Sequence, residues 1–493
     1  MKLNFHTKKN FEELLNESKS LLVKDYLTQI NFYRNKIFIH DAGISYSGLM
    51  IKKKIQYYIS KLNNGKKDII IIKSKNSANW VFIYLAIKIL NKSVFIISDT
   101  ADNSTTDLIL KNFSVHSKFE NNKLLVIKNT KKKSINTTYS QIVKKNSILD
   151  CIFTTGTTGK PKGIFISEKA YLHTTRLLIK KSQQSINDIE LLSMPFSHSF
   201  GLARLRSSIL NKQSFVISDG LKNFPKIYND LFSLKINGLS LVPSAIEIIK
   251  VMLKKNSVKF GKKIKYFEIG SSSINLSTRK WLNENFSKAI IFHHYGMTEA
   301  SRSFFIDRGI NDKLDIKDNF VGEPADKVKF KLNKKKKYSN EILIKGPHLA
   351  DSYFYLDNNI QIKKLDKWFR TGDHGVIKNN KLILKGRLNS MINVGGQKVY
   401  SEEIEDIIEK ITGIQIALCC PIFDKIMGEV PGVLIKKDKK YNYSDDKIIS
   451  LIKISFKFSP NYKKPKKIVF DKNYNFFRGG KKLRDRKELL KIF

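Results

Sequence analysis

Cysteine is scarce in this 493-residue chain, which has only Cys151, Cys419 and Cys420. An odd number without metal-ligand spacing excludes a disulfide framework and fits a reducing compartment. Long apolar runs are missing too. The most apolar stretch, "WVFIYLAIKIL", is short and contains Lys88, whereas a spanning helix needs about 20 residues. No transmembrane segment is expected. The first twenty residues lack the apolar core of a signal peptide, so a cytoplasmic location is expected.

Acidic residues are outnumbered, 44 Asp and Glu against 90 Lys and Arg, giving a formal charge of +46. That balance raises nucleic acid or an anionic membrane as a partner. The lysines, however, fall inside nearly every element, and zinc spacing, RNP-like aromatic strings and basic heptad helices are all absent. The Ile-, Asn-, Phe- and Lys-heavy composition reads as a codon bias toward A and T. No nucleic-acid partner is expected, but a general attraction for anionic ligands is. Internal repeats are absent as well. With 41% apolar residues over this length, the chain can bury a large core in two or three domains.

Residues 68–98 set the fold class. "DIIIIKS" is a buried-strand run, "SANWVFIYLAIKIL" has helical spacing and "KSVFIIS" is a second strand. Strand, helix and strand within about thirty residues make a βαβ unit and a parallel sheet. Further short strands are predicted at 214–218, 236–242, 265–271 and 289–296, ending in "VPS", "GSSS" and "YGMTE". Ligands of open α/β sheets gather at such carboxyl ends. Beyond about residue 320 alternating runs with turns indicate a β-rich subdomain. From 388 a compact α+β segment follows, with a helix at "SEEIEDIIEKI" and strands at "IQIALCCPI" and "VPGVLIKK". The expected fold is α/β: a large N-terminal domain (1–387) with mixed and parallel sheets and a β-rich subdomain, plus a small mobile α+β domain (388–493).

"FTTGTTGKPKGI", Phe153 to Ile164, is a phosphate-type loop without P-loop spacing. A P-loop separates its glycines by four residues and runs through Lys into a helix. Here Gly156 and Gly159 are separated by two, and Pro161 follows Lys160, which disfavours the helical region for that lysine. The Walker assignment fails.

"TTGTTGKPKG" instead resembles the signature of the adenylate-forming superfamily: acyl- and aryl-CoA synthetases, luciferases and peptide-synthetase adenylation domains. Thr155 stands where serine is more usual. The resemblance implies that Thr154, Thr155, Gly156, Thr157, Thr158, Gly159, Lys160 and Lys162 surround ATP's outer phosphates with hydroxyls, amides and charge. Other motifs follow in the family's order, from "ISYSGLM" at 44 to the end of the chain. "YGMTE" makes Tyr295 the adenine-stacking ring, next to Gly296, with Thr298 a phosphate ligand and Glu299 the Mg²⁺ carboxylate; one carboxylate plus phosphate oxygens suits magnesium. "GSSS", with Gly270, Ser271 and Ser272, falls at the family's adenine-binding turn. In "KWFRTGDHG", Asp373 is expected on the ribose hydroxyls.

"GRLNSMINVGGQK" matches the hinge segment. Arg387 is the ribose or phosphate contact, Gly395 and Gly396 line the thiol route, and Lys398 stands where a basic residue often sits. Asn389 replaces the usual Asp or Lys pivot, and Ser390 replaces a common acid. In "FFRGGKKLRDRKELL" the glycine register favours Lys481 as the catalytic lysine, with Gly479 in place of serine. Its neighbour Lys482 is the rival for that role and is otherwise expected to be solvated. "MPFSHSFGL" resembles the acyl segment of fatty and aryl acid ligases and puts His198 at the acyl pocket. Amino-acid-activating relatives carry an aspartate there, whereas this chain has Ser197 and His198, which points to an acid without an α-amine.

The resemblance implies an AMP-forming acid–thiol ligase using ATP, Mg²⁺ and CoA. The alternative acceptor is a carrier-protein phosphopantetheine, as on an acyl carrier protein. The rival of another class is a decayed ligase fold acting as a basic binding protein. The acid and the oligomeric state stay open at this point.

Overall fold

The structure is a computed structural model. It describes residues 11–62, 69–127, 149–155, 161–221, 223–272, 274, 276–308, 320–334, 340–357, 360–378, 381–395, 397–471, 473–478, 481–482 and 486–493. The chain divides into two compact units. One comprises Met1–Ile316, Val321–Lys329 and Lys345–Phe369; the other comprises Lys317–Phe320, Phe330–Ile344 and Arg370–Phe493.

In the first unit the predicted βαβ is present: β1 (Ile69–Lys73), α1 (Ala78–Ile89) and β2 (Ser93–Ile97), with β1 and β2 parallel. Ile70 and Ile72 enter one apolar cluster while Ile69 and Ile71 enter another. A run of aliphatics buried on both faces is what a parallel strand under helices requires. Ser77 caps α1 by accepting from the Trp80 amide at 3.2 Å, and every α1 residue except Asn79 is buried. A helix apolar all round belongs inside a protein. β3 (Leu149–Thr155) runs parallel to β2 and antiparallel to β4 (Pro161–Ser167). These strands form the middle of an eight-stranded sheet.

A nine-stranded sheet follows. β5 (Ile189–Leu192) leads to α2 (Ser199–Leu210), then come β6 (Ser214–Ile217), β7 (Gly238–Leu241), β8 (Tyr266–Ile269), β9 (Ile290–Met297) and β10 (Ala300–Arg308). The four strands predicted between 214 and 296 are all here, pairing in parallel with their neighbours, while β10 turns back antiparallel on β9. β11 (Ser352–Tyr355) returns to the eight-stranded sheet beside β4.

In the second unit β12 (Phe369–Lys378) and β13 (Lys381–Arg387) pair within a four-stranded sheet. β14 (Met391–Val394) and β15 (Gln397–Tyr400) precede the helix α3 (Ser401–Ile408). β16 (Ile414–Asp424) and β17 (Gly428–Lys437) form a long hairpin over α3. A short terminal hairpin, β18 (Phe477–Arg478) and β19 (Lys481–Lys482), ends the sequence of strands. No described helix is long and apolar enough to cross a membrane.

Candidate active site

The two sheets of the first unit meet at the ends of β4 and β9. β4 puts Lys162 opposite Thr154 on β3 and Tyr355 on β11. The β9–β10 turn carries Thr298 and Glu299. Lys162 Nζ is ion-paired with Glu299 Oε1, both side chains being mostly buried, and the ammonium lies 4.2 Å from the centre of the Tyr353 ring. The Ala350 amide donates to the Glu299 carbonyl at 2.9 Å. The phosphate-loop strand and the "YGMTE" turn are therefore adjoining parts of one site. Gly156, Thr157, Thr158, Gly159 and Lys160 lie outside the described residues, and Thr155 is the last residue of β3.

The "GSSS" turn leaves the carboxyl end of β8. A β-carbon on Gly270 would overlap the imidazole of His294 on β9, so the backbone can lie this close only without a side chain. Ser271 holds φ of +76°, a left-handed conformation uncommon outside glycine. His293 Nε2 donates to the Ser272 carbonyl at 2.9 Å, clipping the turn to β9. Tyr295 packs edge-on against Phe304 at 5.8 Å, and a β-carbon on Gly296 would meet the Arg302 amide.

His198 is the N-cap residue of α2 and makes no side-chain cap bond to the helix. Ser199 Oγ lies 3.4 Å from Thr298 Oγ1, so the "MPFSHSFGL" segment and the "YGMTE" turn are also adjacent. Sequence reasoning missed what holds this segment. The Asn76 side chain accepts from the Phe196 amide at 2.8 Å and donates to the carbonyls of Met194 at 2.9 Å and Ser218 at 3.3 Å. An amide meeting one donor and two acceptors fixes the "MPFSH" loop at two points and ties it to the segment after β6.

Around β8 and α2 lies a buried charged network that was likewise missed. Glu268 on β8 lies 2.8 Å from His294 Nδ1 and 2.9 Å from Arg302 Nε. Burial works against the Glu268 charge, but Arg302, His294 and Arg204 hold its carboxyl well below the ordinary range. Arg302 has φ of +60° and donates to the Phe200 carbonyl at 3.2 Å, binding β10 to α2. Arg204 forms a two-pronged pair with Glu190, both bonds at 2.7 Å. Arg206, two residues on, is turned by about 200° around the helix and pairs with Asp150 on β3, which also binds Lys88 and the Tyr84 hydroxyl. One helix thus anchors both sheets. The available signal was a carboxylate amid aliphatics in "ILDCIF", "DIELLS" and "KYFEIGS", since a buried strand tolerates a charge only beside a partner.

In the second unit Asp373 and Arg387 are cross-strand partners on β12 and β13, with Arg387 Nε 2.7 Å from Asp373 Oδ1. Gly395 sits in the β14–β15 turn with φ of +56°, and its amide donates to the Met427 carbonyl at 2.9 Å. Lys398 lies in β15 opposite Asn393, and Gly396 lies outside the described residues. Lys481 is in β19, opposite Arg478.

The expectation of a solvated Lys482 is overturned. Its Nζ lies 3.0 Å from Glu405 Oε2 and 2.7 Å from Glu409 Oε1. The cause is the acidic face of α3, which needs a cation where Glu405 is sealed in the core at 1% exposure.

The Glu299 carboxylate stands beside Lys162 of the phosphate-loop strand, and the described residues contain no group of three or more potential metal ligands. Such a donor set fits a hard cation whose other ligands are phosphate oxygens or water.

The profile of the AMP-binding enzyme family matches residues 33–354. The 2-succinylbenzoate–CoA ligase of Enterococcus faecalis is 26% identical over 337 residues, 66% of this chain and 66% of that one. The D-alanine–D-alanyl carrier protein ligase of Staphylococcus aureus is 23% identical over 300 residues, 59% of this chain and 61% of its own length. The matched region spans less than two thirds of these curated relatives. Among solved structures, o-succinylbenzoate CoA synthetase (MenE) from Bacillus subtilis, in complex with the acyl-adenylate intermediate, superposes with a TM-score of 0.76 at 18% identity, covering 94% of this chain and 97% of that one. ATP-bound MatB from Rhodopseudomonas palustris gives 0.75 at 15% identity, covering 94% and 98%. These structures share the α/β fold. With the profile extending over well more than half of its residues, the chain belongs to the AMP-binding enzyme family.

Proposed function

We propose that the protein is an AMP-forming acid–thiol ligase that joins a carboxylic acid to the thiol of CoA through an acyl-adenylate. The observation that carries this is the Lys162–Glu299 pair, which sets the phosphate-loop strand against the "YGMTE" turn. A carboxylate is a poor electrophile, so its attack on the α-phosphorus of ATP needs positioning and charge neutralisation. In this reading Thr154, Thr155, Lys160 and Lys162 bind the outer phosphates. The Gly270–Ser272 turn and Tyr295 hold adenine, while Asp373 accepts from the ribose hydroxyls with Arg387 orienting it. His198 and Ser197 border the acid, and neither offers the carboxylate that an α-ammonium would need. Glu299 would hold Mg²⁺, which when bound screens the phosphate charge.

Lys481 bridges the attacking carboxylate and the α-phosphate. The small domain then pivots near Asn389, the boundary of 1–387 and 388–493, and brings Gly395, Gly396 and Lys398 to the thiol route. A carrier-protein phosphopantetheine is the second acceptor. The +46 charge favours it by attraction for acidic partners, and one relative is a carrier protein ligase. Three buried free thiols suit a reducing cytoplasm.

The test is a panel of carboxylic acids assayed for nucleotide products. AMP and pyrophosphate are expected with the cognate acid. ADP as the sole nucleotide product overturns the proposal.

A further inference from the structure

Two segments outside the adenylate crevice are fastened to α3. At its first turn, Ser390 Oγ lies 3.0 and 2.7 Å from the two oxygens of Glu402, and Ser401 Oγ donates to the Ser390 carbonyl at 3.0 Å. At its other end Glu405 and Glu409, three and seven residues beyond Glu402 and so on the same face, receive Lys482.

That lysine is fully engaged. Besides the two carboxylates it donates to the Ala417 carbonyl at 3.4 Å. Both acids are themselves held, Glu405 Oε1 by the Cys419 amide and Glu409 Oε1 by the Ala417 amide, each at 2.8 Å. Burial works against the Lys482 ammonium, yet Glu405 and Glu409 more than offset it and raise its pKa. The terminal hairpin needs such a fastening. It has two residue pairs, Phe477 with Lys482 and Arg478 with Lys481, too few to hold a register unaided. Its other anchors are Phe476 and Leu489, buried with Leu418 and Leu434 under the long hairpin.

We infer that Lys482 is a positioning residue: its ion pairs with Glu405 and Glu409 fix the register of the terminal hairpin on α3 and thereby set where Lys481 is presented. Because Ser390 is latched to the same helix, the pivot segment and the hairpin move as one body. The catalytic part rests on the ligase reading, while the fastening does not.

The experiment uses the full chain with Lys482→Met, Lys482→Arg and Glu409→Gln. Amide exchange of residues 476–482 is measured together with the two half-reactions. In Lys482→Met, exchange of that segment rises by about ten-fold or more, as for a locally opened element. Adenylate formation falls by about ten-fold, in line with a displaced catalytic group, with KM for ATP and acid unchanged. Thioester formation from supplied acyl-adenylate is unaffected. Lys482→Arg restores both readouts, and Glu409→Gln, which leaves no buried charge unpaired, shifts exchange in the same direction by less.

Wild-type exchange in both Lys482→Met and Glu409→Gln overturns the inference. So does a parallel fall of both half-reactions, which would mark a general structural loss. Raised exchange in a chain whose wild type adenylates no acid supports the fastening and overturns the ligase reading instead.

Discussion

Lys162 and Glu299 are 137 residues apart in sequence and joined by an ion pair, although one lies in the eight-stranded sheet and the other in a turn of the nine-stranded one. The pair occupies the Lys162 ammonium and the Glu299 carboxylate with each other. On the proposed function, nucleotide entry exchanges it for phosphate on one side and a cation on the other. Glu299→Gln keeps the shape but removes the anionic ligand. Pyrophosphate release is expected to fall by about a hundred-fold or more and to lose its saturable dependence on Mg²⁺. A magnesium titration that superposes on wild type would remove Glu299 from the metal site.

Lys481→Ala tests the two-step scheme. Removing one donor aimed at developing charge costs about 3–4 kcal/mol, so adenylate formation should drop roughly a thousand-fold. Acyl transfer from supplied adenylate should continue near the wild-type rate. Equal damage to both steps would show that the residue does not act in the first step alone.

Gly270→Ala places a methyl group against the His294 ring. Either the turn or the ring must shift, and ATP affinity is expected to weaken by about ten-fold, the effect of roughly 1.4 kcal/mol of misfit. A compensating His294→Ala should recover part of the loss. Equilibrium binding of ATP to the single and double variants measures this, and unchanged affinity in Gly270→Ala would dissociate the turn from nucleotide binding.

Asp150→Ala strips the shared anion from Lys88 and Arg206, both with almost no exposure. Breaking a buried pair from one side costs about 3–5 kcal/mol. Tyr84→Phe, which removes the 2.7 Å bond to the same carboxylate and the 3.1 Å bond from Arg206 Nε, should cost about 2 kcal/mol. Urea midpoints of the two variants should therefore separate clearly.

His348 is 4% exposed, with Nε2 2.9 Å from Ser303 Oγ, and burial pushes its pKa down to about 4. Its unfolded value is near 6.5, so the folded state resists the proton. Its contribution is complete above pH 6.5 and is lost as the pH falls from there toward 4, by about 3 kcal/mol. Urea unfolding at pH 7.5, 5.5 and 4.5 should show this loss in wild type and a shallower one in His348→Gln. Identical slopes would mean that the imidazole protonates equally in both states.

Elements whose signal is local were legible in the sequence. Ile69–Lys73 and Ser93–Ile97 are continuous aliphatic runs, and "YGMTE" and "KWFRTGDHG" are compact motifs whose order carries information. Asp373 and Arg387 were identified separately, but their pairing follows from a hairpin register that no motif encodes. Asn76 lies in "KSKNSAN", which reads as an ordinary turn until loops more than a hundred residues away close over it. Lys482 was misjudged because a lysine among 90 basic residues looks solvated. Only the packing of α3 under the long hairpin reveals that Glu405 is buried and needs it.

Arg204 and Arg206 occupy one helix yet neutralise carboxylates on two different sheets. This has a consequence for synthesis. Asp150 and Lys88 leave the ribosome well before Arg206 does, and Glu190 before Arg204. Until α2 has emerged, those carboxylates keep their hydration, because an incompletely paired charge is costly to remove from water. Neither sheet can close over its interior as an independent early product. Nascent chains halted before residue 199 should remain open and accessible to proteases, whereas protection of β1–β4 should begin only in chains extended past α2.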